Sequence, residues 1–270
     1  MSYPKADAAL RPSPLWYFGR AVYVSRRDYR RIFVWFLAAG LALGIAGIAL
    51  GRPVLLDLAY ALAIAGVMML AYSLFGLYRM YGHPSKRYLQ RLLNLGAIRG
   101  AVTIADVHIG TYRHAYELAD LLPEASIRSI DCWDSSGPAA EEAVEDVRSL
   151  EPPLQGHARI QAYRAPGYAL PLPDSSCDVV VFGFGTHEIP AGAPREKLFA
   201  EARRVLRPGG RALLFEHGFD LHNFLIFGPV IDHVTRRDAW LDIMRRYFTD
   251  VQYERSPQAV DLIAGIKAAG

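Results

Sequence analysis

Cysteine is nearly absent from this chain. Cys132 and Cys177 are the two cysteines among 270 residues, and they form no Cys-x-x-Cys pair. A disulfide scaffold and a zinc ribbon are therefore excluded, and a reducing compartment is expected. The sequence also lacks any His-x-His or His-x-x-x-His pair. A metal site would need ligands from separate loops, and we predict none.

Acidic residues are scarce at one end of the chain. Residues 1–99 hold 13 Lys and Arg against 3 Asp and Glu, a net charge of +10, whereas residues 100–270 hold 17 against 24, a net charge of −7. The two parts are expected to meet different surroundings. A basic front part indicates contact with nucleic acid or with an anionic membrane surface. Since 52% of the residues are hydrophobic and 21% are charged, disorder is excluded.

Two long apolar runs lie inside the basic part. Residues 32–50 are 19 residues without a charge, and as a helix they span roughly 28 Å, close to the hydrocarbon thickness of a bilayer. After Gly51-Arg52-Pro53, residues 54–78 form a second run whose only charge is Asp57. We predict a transmembrane helical hairpin over residues 32–80. A cleaved signal peptide is the alternative for the first run, but 31 residues precede it and a second run follows at once.

The distribution of basic residues predicts the orientation of the hairpin. Seven Lys and Arg residues precede the first run, five lie within residues 79–99 just after the second, and only Arg52 lies between the runs. By the positive-inside rule, both termini and the domain over residues 81–270 face the cytoplasm. Residues 1–31 mix aromatic and basic residues, as interfacial anchors do. Such stretches also bind single-stranded nucleic acid, but beside two apolar runs we expect the lipid bilayer as partner and no nucleic acid.

Small residues recur along the first apolar run, at Gly40, Gly44, Gly47 and Gly51. Small residues at such spacings let two helices approach closely. Packing of the two hairpin helices against each other is the simpler interpretation. Association of two copies into a homo-oligomer through these helices is the alternative.

From residue 82 onward, short β-branched runs alternate with longer amphipathic segments. This alternation predicts an α/β domain with a Rossmann-like doubly wound sheet. The predicted strands cover residues 101–106, 126–131, 158–163, 177–184 and 211–216, and residues 251–255 and 259–268 are predicted to pair as an antiparallel C-terminal hairpin. The predicted helices cover residues 85–95, 112–122, 138–150, 194–206 and 235–247.

Three segments carry a family resemblance. They are TIADVHIGTYRHA (103–115), ALPLPDSSCDVVVFGFGTHEIP (169–190) and EARRVLRPGGRALLFEH (201–217). They are similar to the glycine-rich turn, the LPFPDxSFDVV segment and the ExxRVLKPGG segment of class I S-adenosylmethionine-dependent methyltransferases. The chain most resembles the ubiquinone/menaquinone methyltransferase branch, over roughly residues 85–267. The resemblance implies S-adenosylmethionine as cofactor.

The resemblance also implies a cofactor site at the carboxyl ends of the strands. In the family, an acid at the end of the second strand accepts hydrogen bonds from both ribose hydroxyls, and Asp131 stands at that place. Gly110 would let the backbone approach the methionine part of the cofactor, and Asp106 would orient the turn or contact the amino group. The family's turn reads D-x-G-x-G-x-G, and here His108 and Tyr112 replace two of its glycines. The expected cofactor-binding residues are Asp106, His108, Gly110, Thr111, Asp131, Cys132, Tyr168 and Phe184.

Five of the eight histidines fall after predicted strands one, four or five, where a doubly wound sheet binds its ligand: His108, His187, His217, His222 and His233. With Glu188 and Glu216, they predict a site that contains imidazoles. An imidazole with a pKa near 6.5 can remove a proton at cytoplasmic pH, so His187 is the predicted general base, with Glu188 beside it as an orienting group. His217 and His222 are the next candidates.

The sequence therefore predicts a membrane-anchored methyltransferase of the cytoplasmic face. It would transfer a methyl group from S-adenosylmethionine to an O, S or C atom of a lipophilic small molecule. The two lost glycines keep an alternative open, in which the domain is a catalytically retired membrane scaffold or regulator with a methyltransferase-like fold.

Overall fold

The computed structural model describes residues 11–82, 85–100, 102–133, 142–154, 156–228, 231 and 234–269. His233 and the first residues of the helix predicted over 138–150 lie outside the described residues.

Three helices form the N-terminal part of the molecule: α1 Pro14–Val24, α2 Arg26–Ala49 and α3 Pro53–Tyr81. The sequence analysis did not assign α1, which begins where the side chain of Ser13 accepts a hydrogen bond from Trp16 N at 3.1 Å. α2 and α3 pack against each other, and both are long and apolar enough to cross a membrane by length and composition. Only 6% and 0% of the residues in their most apolar windows are buried.

The glycines of α2 have different surroundings. A Cβ added at Gly47 would lie 3.0 Å from the side chain of Leu56, so this glycine permits the close contact between α2 and α3 near their turn. A Cβ at Gly40 or at Gly44 would meet nothing within 4 Å. Packing within the hairpin therefore explains the glycine at position 47, but it does not explain Gly40 and Gly44.

The last turns of α3 belong to the core of the following domain. Leu77 and Met80 are fully buried in the same apolar cluster as residues of the sheet. Arg113 is 2% exposed and donates hydrogen bonds to the backbone oxygen of Met80 at 2.7 Å and to Tyr88 Oη at 3.3 Å, while its Nε lies 3.2 Å from Glu117 Oε1. The buried guanidinium thus joins the end of α3 to the following α/β domain.

A seven-stranded sheet in the order β3-β2-β1-β4-β5-β7-β6 carries the domain. Its strands are β1 Thr103–His108, β2 Ser126–Asp131, β3 Ile160–Arg164, β4 Cys177–Phe182, β5 Leu206–His217, β6 Thr249–Arg255 and β7 Val260–Ile266. All neighbours are parallel except β7, which runs antiparallel to both β5 and β6. The helices around it are α4 Lys86–Leu95, α5 Arg113–Leu121, α6 Glu142–Leu150, α7 Ala193–Val205, α8 Leu221–Phe227 and α9 Arg237–Tyr247. The predicted doubly wound sheet with its antiparallel hairpin is confirmed.

All strands except β2 differ from their predicted bounds, and β1 and β5 differ most. β1 continues to His108, paired to the end of β2, so Asp106 lies inside the strand rather than at its end. β5 begins at Leu206, before the Pro-Gly-Gly sequence that was predicted to precede the strand. The reason is that Gly209 and Gly210 exchange backbone hydrogen bonds of 2.9 Å with Lys267, which extends the pairing beyond the end of β7. α8 is a further helix, and the sequence pattern does not predict it.

Candidate active site

A cavity of about 210 Å³ lies at the carboxyl ends of β1, β4 and β5. The loops after these three strands form its floor, and α1 and the end of α3 form its roof. The polar side chains that line it include Arg20, Thr111, His114, His187, Glu188 and His217. The structure thus brings His187, Glu188 and His217 together, as predicted from the sequence. This position is where an open α/β sheet binds its ligand.

His187 and two carboxylates form a buried cluster in the cavity wall. His187 Nδ1 lies 2.8 Å from Glu216 Oε2, and Nε2 lies 3.2 Å from Glu188 Oε1. Glu216 is fully buried near the end of β5 and also accepts a hydrogen bond from His187 N at 3.2 Å. In the ladder between β5 and β7, Glu216 lies directly opposite the buried Asp261, whose carboxylate accepts a hydrogen bond from Arg255 at 2.7 Å.

The predicted pKa of His187, near 6.5, is wrong in this setting. Burial alone would lower the pKa, but the carboxylates of Glu216 and Glu188 outweigh it and raise the pKa to about 10. His187 is therefore an imidazolium at neutral pH. In this state both of its ring N–H groups face carboxylates, Nδ1 toward Glu216 and Nε2 toward Glu188, and the ring can accept a proton only after losing one.

Arg195 holds the turn that carries His187. Its guanidinium Nη2 donates to the backbone oxygens of His187 at 3.1 Å and Ile189 at 2.8 Å, and it lies 4.6 Å from the ring centre of Trp240. The turn begins at Gly185, whose φ of +107° favours glycine. Sequence reasoning missed Arg195, because its role depends on the side of α7 that faces the turn.

The other two predicted catalytic histidines have different positions. His217 lines the cavity, its Nε2 lies 2.9 Å from Tyr81 Oη, and its ring stacks on Phe184 at 4.1 Å. His222 lies on α8 and is hydrogen bonded to Tyr72 Oη at 2.6 Å, outside the residues that line the cavity. The structure therefore separates His222 from the cluster, and it places Phe184 in the cavity beside His217.

His114 is a cavity residue that the sequence analysis did not select. It is 2% exposed, and neither ring nitrogen has a hydrogen-bond partner among the described residues. Burial and the charge of Arg113 hold its pKa well below the ordinary value of 6.5, so the ring is neutral. The sequence predicts that His114 lies in the first turn of a helix, but it does not predict that the side chain is buried.

Asp131 ends β2 beside His108, which ends β1. Arg148 of α6 donates to both of its carboxylate oxygens at 2.9 Å, and Trp133 N donates to Oδ1 at 3.1 Å. Although burial acts in the opposite direction, these hydrogen bonds hold the pKa of Asp131 below its ordinary value. The carboxylate is ionised and receives two N–H donors side by side, the same pattern that two ribose hydroxyls would present.

His108 takes over hydrogen bonding in the altered turn. Its Nδ1 accepts from Gly110 N at 2.9 Å and Thr111 N at 3.2 Å, while Nε2 lies 2.9 Å from Ser129 Oγ. Burial lowers the pKa of His108 to about 4, so the ring stays neutral and can accept. Asp106 lies beneath it, fully buried and hydrogen bonded to Ser129 at 3.3 Å, and burial raises its pKa to about 7.

Arg148 fills the space beside Gly110. Gly110 has a φ of +116°, and a Cβ there would lie 2.4 Å from Nη1 of Arg148, which also donates to the backbone oxygen of Ile109 at 2.7 Å. The ionised carboxylate of Asp131 has the chemistry to bind a ribose diol, and in this structure the guanidinium of Arg148 occupies that position. Glu151 accepts from Tyr112 N at 2.9 Å and pairs with Arg20 of α1. The turn therefore contacts the roof of the cavity.

The remaining predicted cofactor residues are not brought together: Thr111 lines the cavity, whereas Cys132 and Tyr168 belong to a separate apolar cluster. Thr111 is in the turn and lies 3.2 Å from Arg20 Nη2. Cys132 is buried directly after Asp131, and Tyr168 ends the short turn Pro166–Tyr168 after β3. In the described part of the chain, no group of three or more His, Cys, Asp or Glu side chains is arranged to hold a metal ion.

We expect the free energy of unfolding to fall as the pH rises from about 6.5 to about 10. The pKa of His187 is raised in the folded chain, so the charged cluster stabilises the fold fully below about 6.5 and is lost as the pH passes through about 10. Glu216→Gln should flatten this part of the profile in thermal unfolding of the full chain. Glu254→Gln, in an ion pair with Arg91, is the control. An equally steep profile in Glu216→Gln would contradict the assignment.

Comparison with known proteins agrees with this geometry. Residues 105–214 match the methyltransferase-domain family. The ubiquinone/menaquinone biosynthesis C-methyltransferase UbiE of Dinoroseobacter shibae is 30% identical over 182 residues, which cover 62% of this chain and 69% of that protein. UbiE of Syntrophotalea carbinolica is 29% identical over 49% of this chain and 56% of its own length. Human thiol S-methyltransferase TMT1B is 34% identical over 32% of this chain and 38% of its own length.

The fold has a solved counterpart as well. A methyltransferase structure from Aquifex aeolicus superimposes with a TM-score of 0.50 at 16% identity, over 71% of this chain and 93% of the other. At that identity the likeness concerns the fold alone. Together with the extent of the first match, these findings show that the chain belongs to the S-adenosylmethionine-dependent methyltransferases.

Proposed function

We propose that this protein is a membrane-anchored methyltransferase that methylates a lipophilic quinol or related phenol at the cytoplasmic face. The observation that carries the proposal is the cavity itself, where a buried imidazolium–carboxylate cluster lies between the strand ends and the helices of an apolar hairpin. The names of the UbiE relatives point to a quinone ring as acceptor and C as the methylated atom. O and S acceptors of the same lipophilic class remain within the proposal.

S-adenosylmethionine supplies an activated methyl group when bound. The acceptor forms the new bond to this methyl carbon as the sulfur–methyl bond breaks, and the acceptor loses one proton. A phenol has a pKa of about 10, so it needs help to ionise at neutral pH. The N–H at Nε2 of His187 would turn from Glu188 to the phenol oxygen and stabilise its negative charge, and the carboxylate of Glu188, released from this contact, would accept the proton.

Exposed apolar side chains support the membrane part of the proposal. Beyond α2 and α3, the loop and helix after β5 expose Phe219, Leu221, Phe224 and Leu225. α8 packs against α3, so these side chains lie beside the hairpin. A hairpin over residues 32–80 with two spans, an interfacial segment over 1–31 and a cytoplasmic domain over 81–270 would place the cavity next to molecules dissolved in the bilayer.

The topology has a direct test. A reporter that is active only in the cytoplasm, fused after residue 270, should be active in cells, and its signal should stay with the membrane fraction after alkaline extraction. The physical reason is the excess of basic residues on both sides of the hairpin. Activity only of a reporter that works outside the cytoplasm would contradict the orientation, and release by alkali would contradict the spans.

Cofactor binding tests the assignment of Asp131. Asp131→Asn removes the charge from two hydrogen bonds to the ribose, each worth about 1.5–3 kcal/mol, so the affinity for S-adenosylhomocysteine should fall at least about tenfold in titration calorimetry. Arg148→Gln should raise the affinity a few-fold, because the competing guanidinium is gone. Arg164→Gln is the control, since Arg164 is exposed and 3.9 Å from Asp131.

The outcomes of this titration separate the alternatives. A lower melting temperature of Asp131→Asn with unchanged affinity would make Asp131 a structural residue. Weaker binding to Arg148→Gln would show that Arg148 contacts the cofactor, rather than occupying the position where the cofactor binds. If the wild-type chain binds neither S-adenosylmethionine nor S-adenosylhomocysteine, the retired scaffold is the better explanation.

Activity tests the role of His187. With a prenylated naphthoquinol in bilayers and isotope-labelled S-adenosylmethionine, His187→Gln should lower kcat by about 10²-fold to 10⁴-fold, because the developing oxyanion loses its charged donor. Cofactor affinity should hardly change. His157→Gln is the matched control. His157 precedes β3 and so lies at the amino end of that strand, whereas the cavity lies at the carboxyl ends of the strands. Full activity of His187→Gln would leave positioning of the two substrates as the mechanism.

A further inference from the structure

His114 is a buried polar residue for which the fold itself supplies no partner. Its imidazole lines the active-site cavity, is 2% exposed, and makes no hydrogen bond through either ring nitrogen within the part of the chain that the structure describes. Gly183, directly after β4, leaves room for the ring, because a Cβ there would lie 2.9 Å from Nδ1 of His114. A buried polar group without a partner destabilises a fold, so a ligand that supplies the partner is the simplest explanation of this histidine.

The protonation state of His114 defines what it can bind. Burial and the charge of Arg113 hold its pKa well below the ordinary value, so the ring is neutral and has one N–H donor and one nitrogen that accepts. Such a ring pairs well with a hydroxyl or a carbonyl group. The amino and carboxylate groups of the cofactor are charged and form their strongest hydrogen bonds with charged partners, so an oxygen of the methyl acceptor fits His114 better.

The position of His114 also favours the acceptor over the cofactor. In the sheet, β2 with Asp131 lies on one side of β1, and β4 and β5 lie on the other side. The ring centre of His114 lies 6.0 Å from that of Phe184, after β4, and 4.7 Å from that of Phe215 on β5. Neighbouring strands are about 4.8 Å apart, so roughly 10–14 Å separate the ribose position at β2 from these rings. The cluster of His187 lies on the same side as His114.

His114 and His187 stand at the two ends of a series of ring contacts. Phe184 contacts His114 and also stacks on His217 at 4.1 Å, and the ring centre of His217 lies 5.8 Å from that of His187. These rings form one wall of the cavity, with a charged imidazole at one end and a neutral imidazole at the other. A planar ring that lies along this wall would place one polar atom at His187 and a second at His114.

We propose that His114 is a substrate-binding residue that forms a hydrogen bond with a second oxygen of the methyl acceptor, while the first oxygen meets His187. This inference rests on the proposed function, and it assigns to His114 the choice between phenols with one oxygen and phenols with two. A hydroxyl buried without a partner weakens binding, so the second oxygen adds affinity only because the imidazole is there. The two hydrogen bonds together would also fix the direction in which the acceptor lies in the cavity.

Binding of two simple phenols tests the role of His114 without requiring turnover. The ligands are 1,4-naphthalenediol and 1-naphthol, titrated calorimetrically and without oxygen into the full chain in phosphatidylcholine nanodiscs with saturating S-adenosylhomocysteine. Empty nanodiscs give the background. The wild-type chain should bind the diol about tenfold more tightly than the naphthol. His114→Leu should lose this preference, whereas the matched control His157→Leu, at the amino end of β3, should keep it.

Stability separates a binding role from a structural role. His114→Leu removes two unpaired nitrogens at similar volume, so its melting temperature should equal or exceed that of the wild-type chain while the preference is lost. His114→Asn retains a donor and an acceptor and should retain part of the preference. A lower melting temperature of His114→Leu with an unchanged preference would make His114 a structural residue. Equal affinity of the wild-type chain for the two phenols, or binding of neither, would also overturn the proposal.

Turnover separates this proposal from the proposed function. With isotope-labelled S-adenosylmethionine, methylation of both phenols at the same kcat/KM in the wild-type chain and in His114→Leu would support the reaction and overturn the role of His114. Binding with the expected preference but without methyl transfer would support the role of His114 and show that the proposed reaction is wrong.

Discussion

The buried guanidinium of Arg113 joins the hairpin to the catalytic domain. It satisfies the backbone oxygen at Met80 near the end of α3, the hydroxyl of Tyr88 on α4 and the carboxylate of Glu117 on its own helix. A buried charge that loses a partner costs about 3–5 kcal/mol, so these elements keep their mutual positions. The aromatic ring of Tyr17 on α1 lies 5.6 Å from the guanidinium, which brings the roof of the cavity into the same arrangement.

The altered turn after β1 shows how a glycine-rich segment can change and keep its backbone. His108 stands where the family has glycine, and its neutral ring accepts two amide hydrogens from the turn. A protonated ring could not accept them, and burial keeps the ring neutral. The side chain of His108 thus holds the backbone at Gly110 and Thr111 and is itself held by Ser129 on β2.

The sequence was informative wherever one residue type or a local pattern decides the structure. β2 was predicted with its observed bounds, because a short segment with the β-branched residues Ile127 and Ile130 ends there in Asp131. Long-range partners were not readable: the two carboxylates expected near the imidazoles were identified, but the raised pKa of His187 depends on the distances at which β5 and the turn place them. The pairing of Arg148 with Asp131 likewise depends on the angle at which α6 packs. α1 was not predicted, because its mixture of aromatic and basic residues is also typical of an irregular interfacial segment.

The pairing of β5 with β7 depends on the protonation state of a residue in the active site. Glu216 and Asp261 face each other across the ladder of β5 and β7, and like charges in that position repel. Asp261 is paired with Arg255, which is permanently charged, and Glu216 is paired with His187, which is not. A proton withdrawn from His187 would leave one positive charge facing two negative ones, so the C-terminal hairpin is coupled to the protonation state of the residue that faces the substrate.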